Sequence, residues 1–172
     1  MTTTDTVICS SCGRPHPKEE IELVLALPGP IHDLAEDERA ARCDIEADVC
    51  ALDRERLFLR GLLPLPVRGR DAPYRIGLWA EVDAPTFERI YRLWDDPKQS
   101  DEPPLPGILA NDIPTLPRAV GLEVDIRLTG PKTRPEFFLK VSAHPLALEQ
   151  HRGIDAHRTL EYGDRTAPIS SS

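Results

Sequence analysis

Residues 74–94 read YRIGLWAEVDAPTFERIYRLW and contain both kinds of regular structure that decide the fold class. Over 74–82, apolar side chains fall at every second position, and this period of two predicts a strand with one buried side. Asp83 follows as a typical helix N-cap, with Pro85 near the first helical position, where a missing N–H costs little. Apolar residues then recur at helical spacing and predict a single apolar stripe made of Phe87, Ile90, Tyr91 and Trp94.

Downstream of this segment the alternation returns. Residues 122–128 read LEVDIRL, and the apolar residues of 137–141 repeat the pattern after a Gly-Pro turn, so the two runs are predicted to pair as a hairpin. Residues 95–106 are rich in proline and charge, which predicts a surface loop. A proline near the start of 144–153 and a glycine at its end predict a short helix.

Upstream, two strand-like runs at 45–52 and 57–67 flank a polar turn and predict a second hairpin. The second run is expected to bend at Gly61 or at Pro64. Residues 33–42 begin with Asp and carry acidic residues early, as the N-terminus of a helix prefers. These segments predict an α+β fold, in which a largely antiparallel sheet of five or six strands is packed by two or three helices.

The length and composition limit the kind of protein this is. A chain of 172 residues suffices for one domain over 1–172, with an ordered core at 7–165 and frayed tails at 1–6 and 166–172. Because 40% of the residues are apolar, the chain can build a core, and no apolar run approaches the length of a membrane helix. A net charge of −8 argues against a nucleic-acid partner, since duplex affinity depends on Lys and Arg facing phosphates. The first residues lack the basic and apolar stretches of a secretory signal, so we expect a cytoplasmic protein.

The cysteines suggest a metal site. Cys9-Ser-Ser-Cys12-Gly13 resembles a zinc knuckle, because thiolates at this spacing can reach one tetrahedral ion and the glycine permits a tight turn. His16 is available as a further ligand, and the other thiols are Cys43 and Cys50. Two alternatives stay open, a redox dithiol and a chain without metal in which the thiols are small buried apolar groups.

Other polar residues are less informative. His144, Glu149, His151 and His157 cluster in the sequence and suit either acid–base chemistry or helix capping and solvent exposure. Arg60, Trp79 and Arg134 are candidates to line a pocket on the polar face of the sheet, although exposed charges need no such role. The hydrolase, kinase, phosphate-loop and calcium-binding motifs are absent from the sequence, so no catalytic or cofactor-binding residue is assigned.

The chain resembles a bacterial domain family of unknown function, DUF 2199, over nearly its whole length. The segments that carry the resemblance are spread along the chain: Cys9 to His16, Glu38 to Arg42, Asp48 to Cys50, Phe58 to Gly61, Gly77 to Trp79, Phe87 to Trp94, Gly107 to Asn111 with Ile113-Pro114, Arg134-Pro135, His144 to Gln150, and Gly153-Ile154. The resemblance implies a ligand set of Cys9, Cys12, His16 and Cys50, with Cys43 as a substitute. The chain departs from the family at Leu62 to Pro64, where a more polar strand is expected, and Leu63-Pro64 is expected to interrupt that strand.

Two functions from different classes follow from these observations. The favoured one is a cytoplasmic binding or protein-interaction module with a structural zinc, whose acidic surface recognises a basic protein partner, as an immunity protein covers a toxin. The alternative is a zinc-dependent hydrolase, in which an open metal position activates water and Glu149 or His144 carries the proton. A ligand set of four side chains favours the first, because a closed zinc site is unreactive.

Overall fold

The computed structural model of the chain describes residues 22–164 and, before them, the backbone of two short strands, and it confirms the α+β class. The described strands are β1 (Thr6–Ile8), β2 (Pro15–Pro17), β3 (Cys43–Ile45), β4 (Val49–Leu52), β5 (Arg56–Leu65), β6 (Tyr74–Val82), β7 (Leu105–Leu109), β8 (Glu123–Arg127) and β9 (Glu136–Leu139). The described helices are α1 (Gly29–His32), α2 (Glu36–Arg42), α3 (Ala84–Leu93), α4 (Pro145–Arg152) and α5 (Ala156–Asp164), with a 3₁₀ turn at Gln99–Asp101. In this part of the chain, no helix has the length and apolar character needed to cross a membrane.

Seven of the described strands form one sheet, in the order β3-β4-β5-β6-β7-β8-β9, and β1 pairs only with β2. Neighbours in that order are antiparallel. A further parallel contact between Leu62 of β5 and Glu136 of β9 closes β5 to β9 into a five-stranded barrel. The predicted antiparallel sheet is therefore confirmed. The expected count of five or six strands is too low, because the run at 45–52 divides into β3 and β4, and β7 was expected to be partly loop.

The alternating residues of these strands fill the barrel interior. Gly61 lies where a Cβ would overlap the ring of Phe137, so the missing side chain lets that ring occupy the interior. Leu63 and Pro64 do not interrupt this strand. Strand β5 continues through Pro64, which pairs with Arg75 of β6.

A second apolar cluster lies on the outer face of the sheet, and it overturns the prediction that β6 has only one buried side. Trp79, expected on the polar face, is 1% exposed. Its indole N–H donates to the carbonyl of Leu25 at 3.1 Å, and its backbone N–H donates to Asn111 at 2.8 Å. The segment before α1 folds over this face, so the outer cluster consists of Ile31, Cys50, Leu52, Phe58, Trp79 and Ala110.

The described residues form five helices where two or three were expected: α3 and α4 follow the sequence pattern, α2 begins later than predicted, and α1 was not predicted. The α3 N-cap is confirmed, because Asp83 accepts a hydrogen bond from the Thr86 N–H at 2.8 Å, and α4 lies within the predicted 144–153. The helix predicted from Asp33 begins only at Glu36, and Asp33 ends α1 instead. Helix α5 was not predicted.

Candidate functional site

The structure describes only part of the predicted zinc ligand set. Cys9 and Cys12, with the knuckle-like turn itself, lie outside the described residues. The strands on either side of that turn are paired, with Val7 opposite His16, and the backbone of β2 lies beside α5. Zinc binding at the turn stays a prediction.

Cys50 is the member of the set whose side chain is described, and it lies on β4 inside the outer cluster, 2% exposed. Burial raises the pKa of its thiol to about 11. The thiol of Cys43 on β3 is half-buried and its pKa is also raised by burial. Among the described residues, no group of three or more His, Cys, Asp or Glu is placed to hold a metal ion.

The C-terminal histidines and Glu149 have structural partners, which favours capping and packing over acid–base chemistry. His144 caps α4, since its Nδ1 accepts from the Leu146 N–H at 3.0 Å. The carboxylate of Glu149 accepts hydrogen bonds from Nε and Nη2 of Arg158, each at 3.0 Å. The remaining two histidines bind elsewhere, His151 to the carbonyl of Leu139 and His157 to Glu161.

The most distinctive polar arrangement lies where two strands meet end to end on one edge of β5. The Arg60 N–H donates to the carbonyl of Asp48 at 2.9 Å, just before β4 begins. Two residues further on, the Leu62 N–H donates to the carbonyl of Pro135 at 2.9 Å, just before β9 begins. We call this place the strand junction, defined by Asp48, Arg60, Leu62 and Pro135. Side chains from three distant parts of the chain meet there.

On the outer side of the strand junction, the structure brings together the three residues predicted for the polar face. The Arg60 guanidinium lies over the Trp79 ring, 5.6 Å from its centroid, and its Nη1 donates to the carbonyl of Ala47 at 3.2 Å. Arg134 approaches Asp48, with 3.4 Å between Nε and Oδ1. The pKa of Arg60 is lowered by burial and then by the charge of Arg134, while Asp48 acts in the opposite direction. Asp48 was not singled out, although the segment Asp48-Val-Cys50 carries the family resemblance.

On the α3 side of the strand junction, a pocket of about 220 Å³ opens between the β3–β4 turn and α3. Its walls are apolar and its rim on the turn carries the carboxylates of Glu46 and Asp48. The predicted stripe on α3 is not fully covered, since Tyr91 at the mouth of the pocket is 76% exposed. The lining residues are Glu46, Ala47, Asp48, Val49, Leu59, Phe87, Ile90, Tyr91 and Trp94.

A larger and more open groove of about 500 Å³ runs along β7 and β8 and is lined by several carboxylates. Three of them already have partners. Glu81 binds Arg56 at 2.7 Å, Asp125 binds Lys140 at 2.8 Å, and Asp83 caps α3. We regard the pocket beside α3 as the better candidate for a binding site, because it is less open than the groove and carries the largely exposed Tyr91 side chain.

Comparison with known proteins identifies a family and nothing more specific. No curated protein and no solved structure matches this chain. A family described as "Uncharacterized protein conserved in bacteria (DUF2199)" matches residues 8–154. The match covers most of the chain and confirms the resemblance, so the chain belongs to this bacterial family of uncharacterised proteins.

Proposed function

We propose that this chain is an acidic interaction module that binds a basic segment of a protein partner. The observation that carries the proposal is the pocket beside α3, where an exposed aromatic side chain and two carboxylates surround an apolar hollow. A lysine or arginine side chain has the complementary chemistry, with an apolar stem and a cationic end. The net charge of −8 supports a basic partner, because opposite charges speed and orient association.

The size of the pocket suits a side chain better than a metabolite. Its volume of about 220 Å³ lies below the roughly 300–1,000 Å³ of typical small-molecule sites. An arginine stem inserted against Ile90 and Leu59 would place its guanidinium between the Tyr91 ring and the carboxylates of Glu46 and Asp48. A cation over an aromatic face contributes about 0.5–2 kcal/mol, depending on its desolvation. One such anchor gives a specific but weak contact, which a larger interface would strengthen.

The proposal is tested by titrating the purified protein with a short acetylated and amidated peptide that carries one arginine among glycines. Trp94 lines the pocket whereas Trp79 is buried, so tryptophan fluorescence should respond on binding. A peptide with citrulline in place of arginine keeps the shape and removes the charge. We expect it to bind roughly tenfold more weakly, the equivalent of about 1.4 kcal/mol. Equal responses to the two peptides would contradict the proposal.

Matched variants separate the pocket from the rest of the acidic surface. Tyr91→Ala should weaken the arginine peptide several-fold, while Val141→Ala, at a site 84% exposed and outside the pocket, should leave it unchanged. Glu46→Gln should weaken it further than Glu36→Gln, which removes an exposed charge on α2. If Glu46→Gln weakened binding no more than Glu36→Gln, and Tyr91→Ala no more than Val141→Ala, the pocket would not be the binding site.

We further propose that a structural zinc is held by Cys9, Cys12, His16 and Cys50 and that the protein acts in the cytoplasm, in the manner of an immunity protein. The spacing of the first three residues supports this set. Cys50 is the demanding member, because binding would require a buried thiol with a raised pKa to lose its proton to the metal. Metal analysis of wild type and Cys50→Ala tests the set: loss of zinc in the variant is expected, and full retention would remove Cys50 from it.

A further inference from the structure

Two guanidinium groups lie against the turn before β4 on the outer side of the strand junction, Arg60 on the Ala47 carbonyl and Arg134 on the Asp48 carboxylate. Arg134 contacts Asp48, and the charge of Arg134 is close enough to Arg60 to lower the pKa of the latter. These two guanidinium groups and one carboxylate together carry one net positive charge, on a chain whose net charge is −8. A negatively charged group has the complementary charge.

The two arginines also have donors that the described residues do not use. Arg60 Nη1 donates to a backbone carbonyl at 3.2 Å, while its Nε is buried and has no hydrogen-bond partner within residues 22–164. The contact of Arg134 with Asp48 is single and long, at 3.4 Å. Three other arginines donate hydrogen bonds to both oxygens of a carboxylate at 2.7 to 3.0 Å. These pairs are Arg42–Asp53, Arg56–Glu81 and Arg89–Glu102. The partly exposed Arg134 guanidinium therefore retains donors for a ligand, whereas the arginines of those three pairs already bind both oxygens of a carboxylate.

We infer that Arg60 and Arg134 form a binding site for a carboxylate group supplied by a ligand. Planar guanidinium groups match the two oxygens of a carboxylate, and charge-assisted hydrogen bonds of this kind are among the strongest. The Trp79 ring and the Ala47 carbonyl hold Arg60 in place before the ligand arrives, so little side-chain freedom is lost on binding. The one net positive charge of Arg60, Arg134 and Asp48 suits a monoanion better than a doubly charged phosphate.

The carboxylate has two possible sources, a free organic acid or an acidic residue of a peptide. The carboxylate site at Arg60 and Arg134 does not depend on the pocket proposed for a basic side chain. That pocket lies on the other side of the β3–β4 turn. The two sites share Asp48, which lines the pocket and contacts Arg134, and Ala47, which lines the pocket and accepts a hydrogen bond from Arg60. An experiment can therefore distinguish a failure of the proposed carboxylate site from a failure of the proposed pocket.

The test follows the Nε–H signals of Arg60 and Arg134 by ¹H–¹⁵N NMR while sodium acetate is added to the whole chain. The titration is run at about pH 6, where a carboxyl group is ionised, and sodium chloride at equal ionic strength is the reference. We expect saturable shifts with acetate alone. Arg134→Gln should weaken acetate binding about tenfold or more, whereas Arg75→Gln, which removes an exposed charge on β6, should leave it unchanged.

Three results would overturn the inference: chloride shifting the signals as acetate does, Arg134→Gln binding acetate as wild type does, or inorganic phosphate binding more tightly than acetate. A Tyr91→Ala variant should keep the acetate response even if the arginine peptide no longer binds. An acetylated and amidated peptide with one aspartate among glycines then identifies the source. Binding tighter than acetate supports a peptide carboxylate, and binding weaker than acetate supports a free acid at the same site.

Discussion

Replacing Gln150 with leucine should destabilise the fold far more than its position on a short helix suggests. The side chain of Gln150 on α4 is 6% exposed and reaches across one end of the barrel. Its Oε1 accepts from the Leu139 N–H at 2.7 Å. Its Nε2 donates to the carbonyls of Pro64 at 3.1 Å and Phe137 at 2.9 Å. One amide therefore ties α4 to both strands that close the barrel, β5 and β9.

The magnitude follows from the groups that Gln150→Leu leaves behind. Leucine fills nearly the same volume, so the cavity contribution is small and the main cost is the loss of hydrogen bonds. A buried polar group without a partner costs about 1–3 kcal/mol. With one donor and two acceptors affected, and partial relief by relaxation or water, we expect a loss of about 2–5 kcal/mol. That is a large part of the roughly 5–15 kcal/mol that holds a typical domain.

Urea unfolding followed by circular dichroism measures this loss. With a slope of about 2 kcal/mol per molar, the midpoint should fall by roughly 1–2.5 M at constant slope. Arg152→Leu is the matched control, because it introduces the same side chain at an exposed position of α4 and should change stability by no more than about 0.5 kcal/mol. A Gln150→Leu midpoint as close to wild type as that of the control would refute the reasoning.

Three further predictions concern the core, the pH dependence and the metal. Gly61→Ala should lower the melting temperature by an amount equivalent to about 1–3 kcal/mol, because its Cβ would overlap the buried Phe137 ring. The control Gly77→Ala makes only ordinary contacts at 3.5 Å. Equal melting temperatures of the two variants would contradict the predicted overlap. Burial, and then a neighbouring carboxylate, raise the pKa of Tyr162 in the folded protein. The contribution of this group to stability is therefore complete below about pH 10, the pKa of the phenol in the unfolded chain. It is lost as the pH rises toward the pKa of the folded state. Urea unfolding across this range should show a weaker alkaline loss in Tyr162→Phe, and an unchanged pH profile would count against it. Cys9→Ala and Cys12→Ala should each abolish zinc binding in metal analysis of untagged protein, and zinc at the wild-type ratio in both would exclude the knuckle as the site.

Local patterns predicted the regular elements whose burial repeats along the chain. The strand β6 has the predicted bounds, and the capped helix after it begins where Asp83 and Pro85 indicated. The pattern failed where burial is not periodic. In β7, Pro106 and Gly107 are residue types typical of loops. In the structure they pair with β8 and form part of the barrel. Helix α5 was missed because its fully buried side chains, Thr159 and Tyr162, do not form an apolar repeat at helical spacing.

The candidate site was predicted only in part. Arg60, Trp79 and Arg134 were candidates to line a pocket on the polar face of the sheet, and the structure places Arg60 over the Trp79 ring with Arg134 nearby on Asp48. Asp48 was missed because it lies in a turn that the sequence predicted as the middle of a strand. The pocket was missed because Tyr91 continues an apolar stripe, and the stripe alone does not say which of its members the fold leaves uncovered.

The sequence by itself determined the α+β class, the antiparallel hairpins and the family, because side-chain alternation, turn residues and motif segments are local properties of the chain. The tertiary structure decided that the sheet closes into a barrel, that the outer face of β6 is covered, and that two arginines meet beside Asp48. Those features depend on contacts between residues far apart in the chain, such as Leu62 with Glu136. Periodicity reports which side of a strand is buried, whereas the free energy of packing the whole chain selects what buries it.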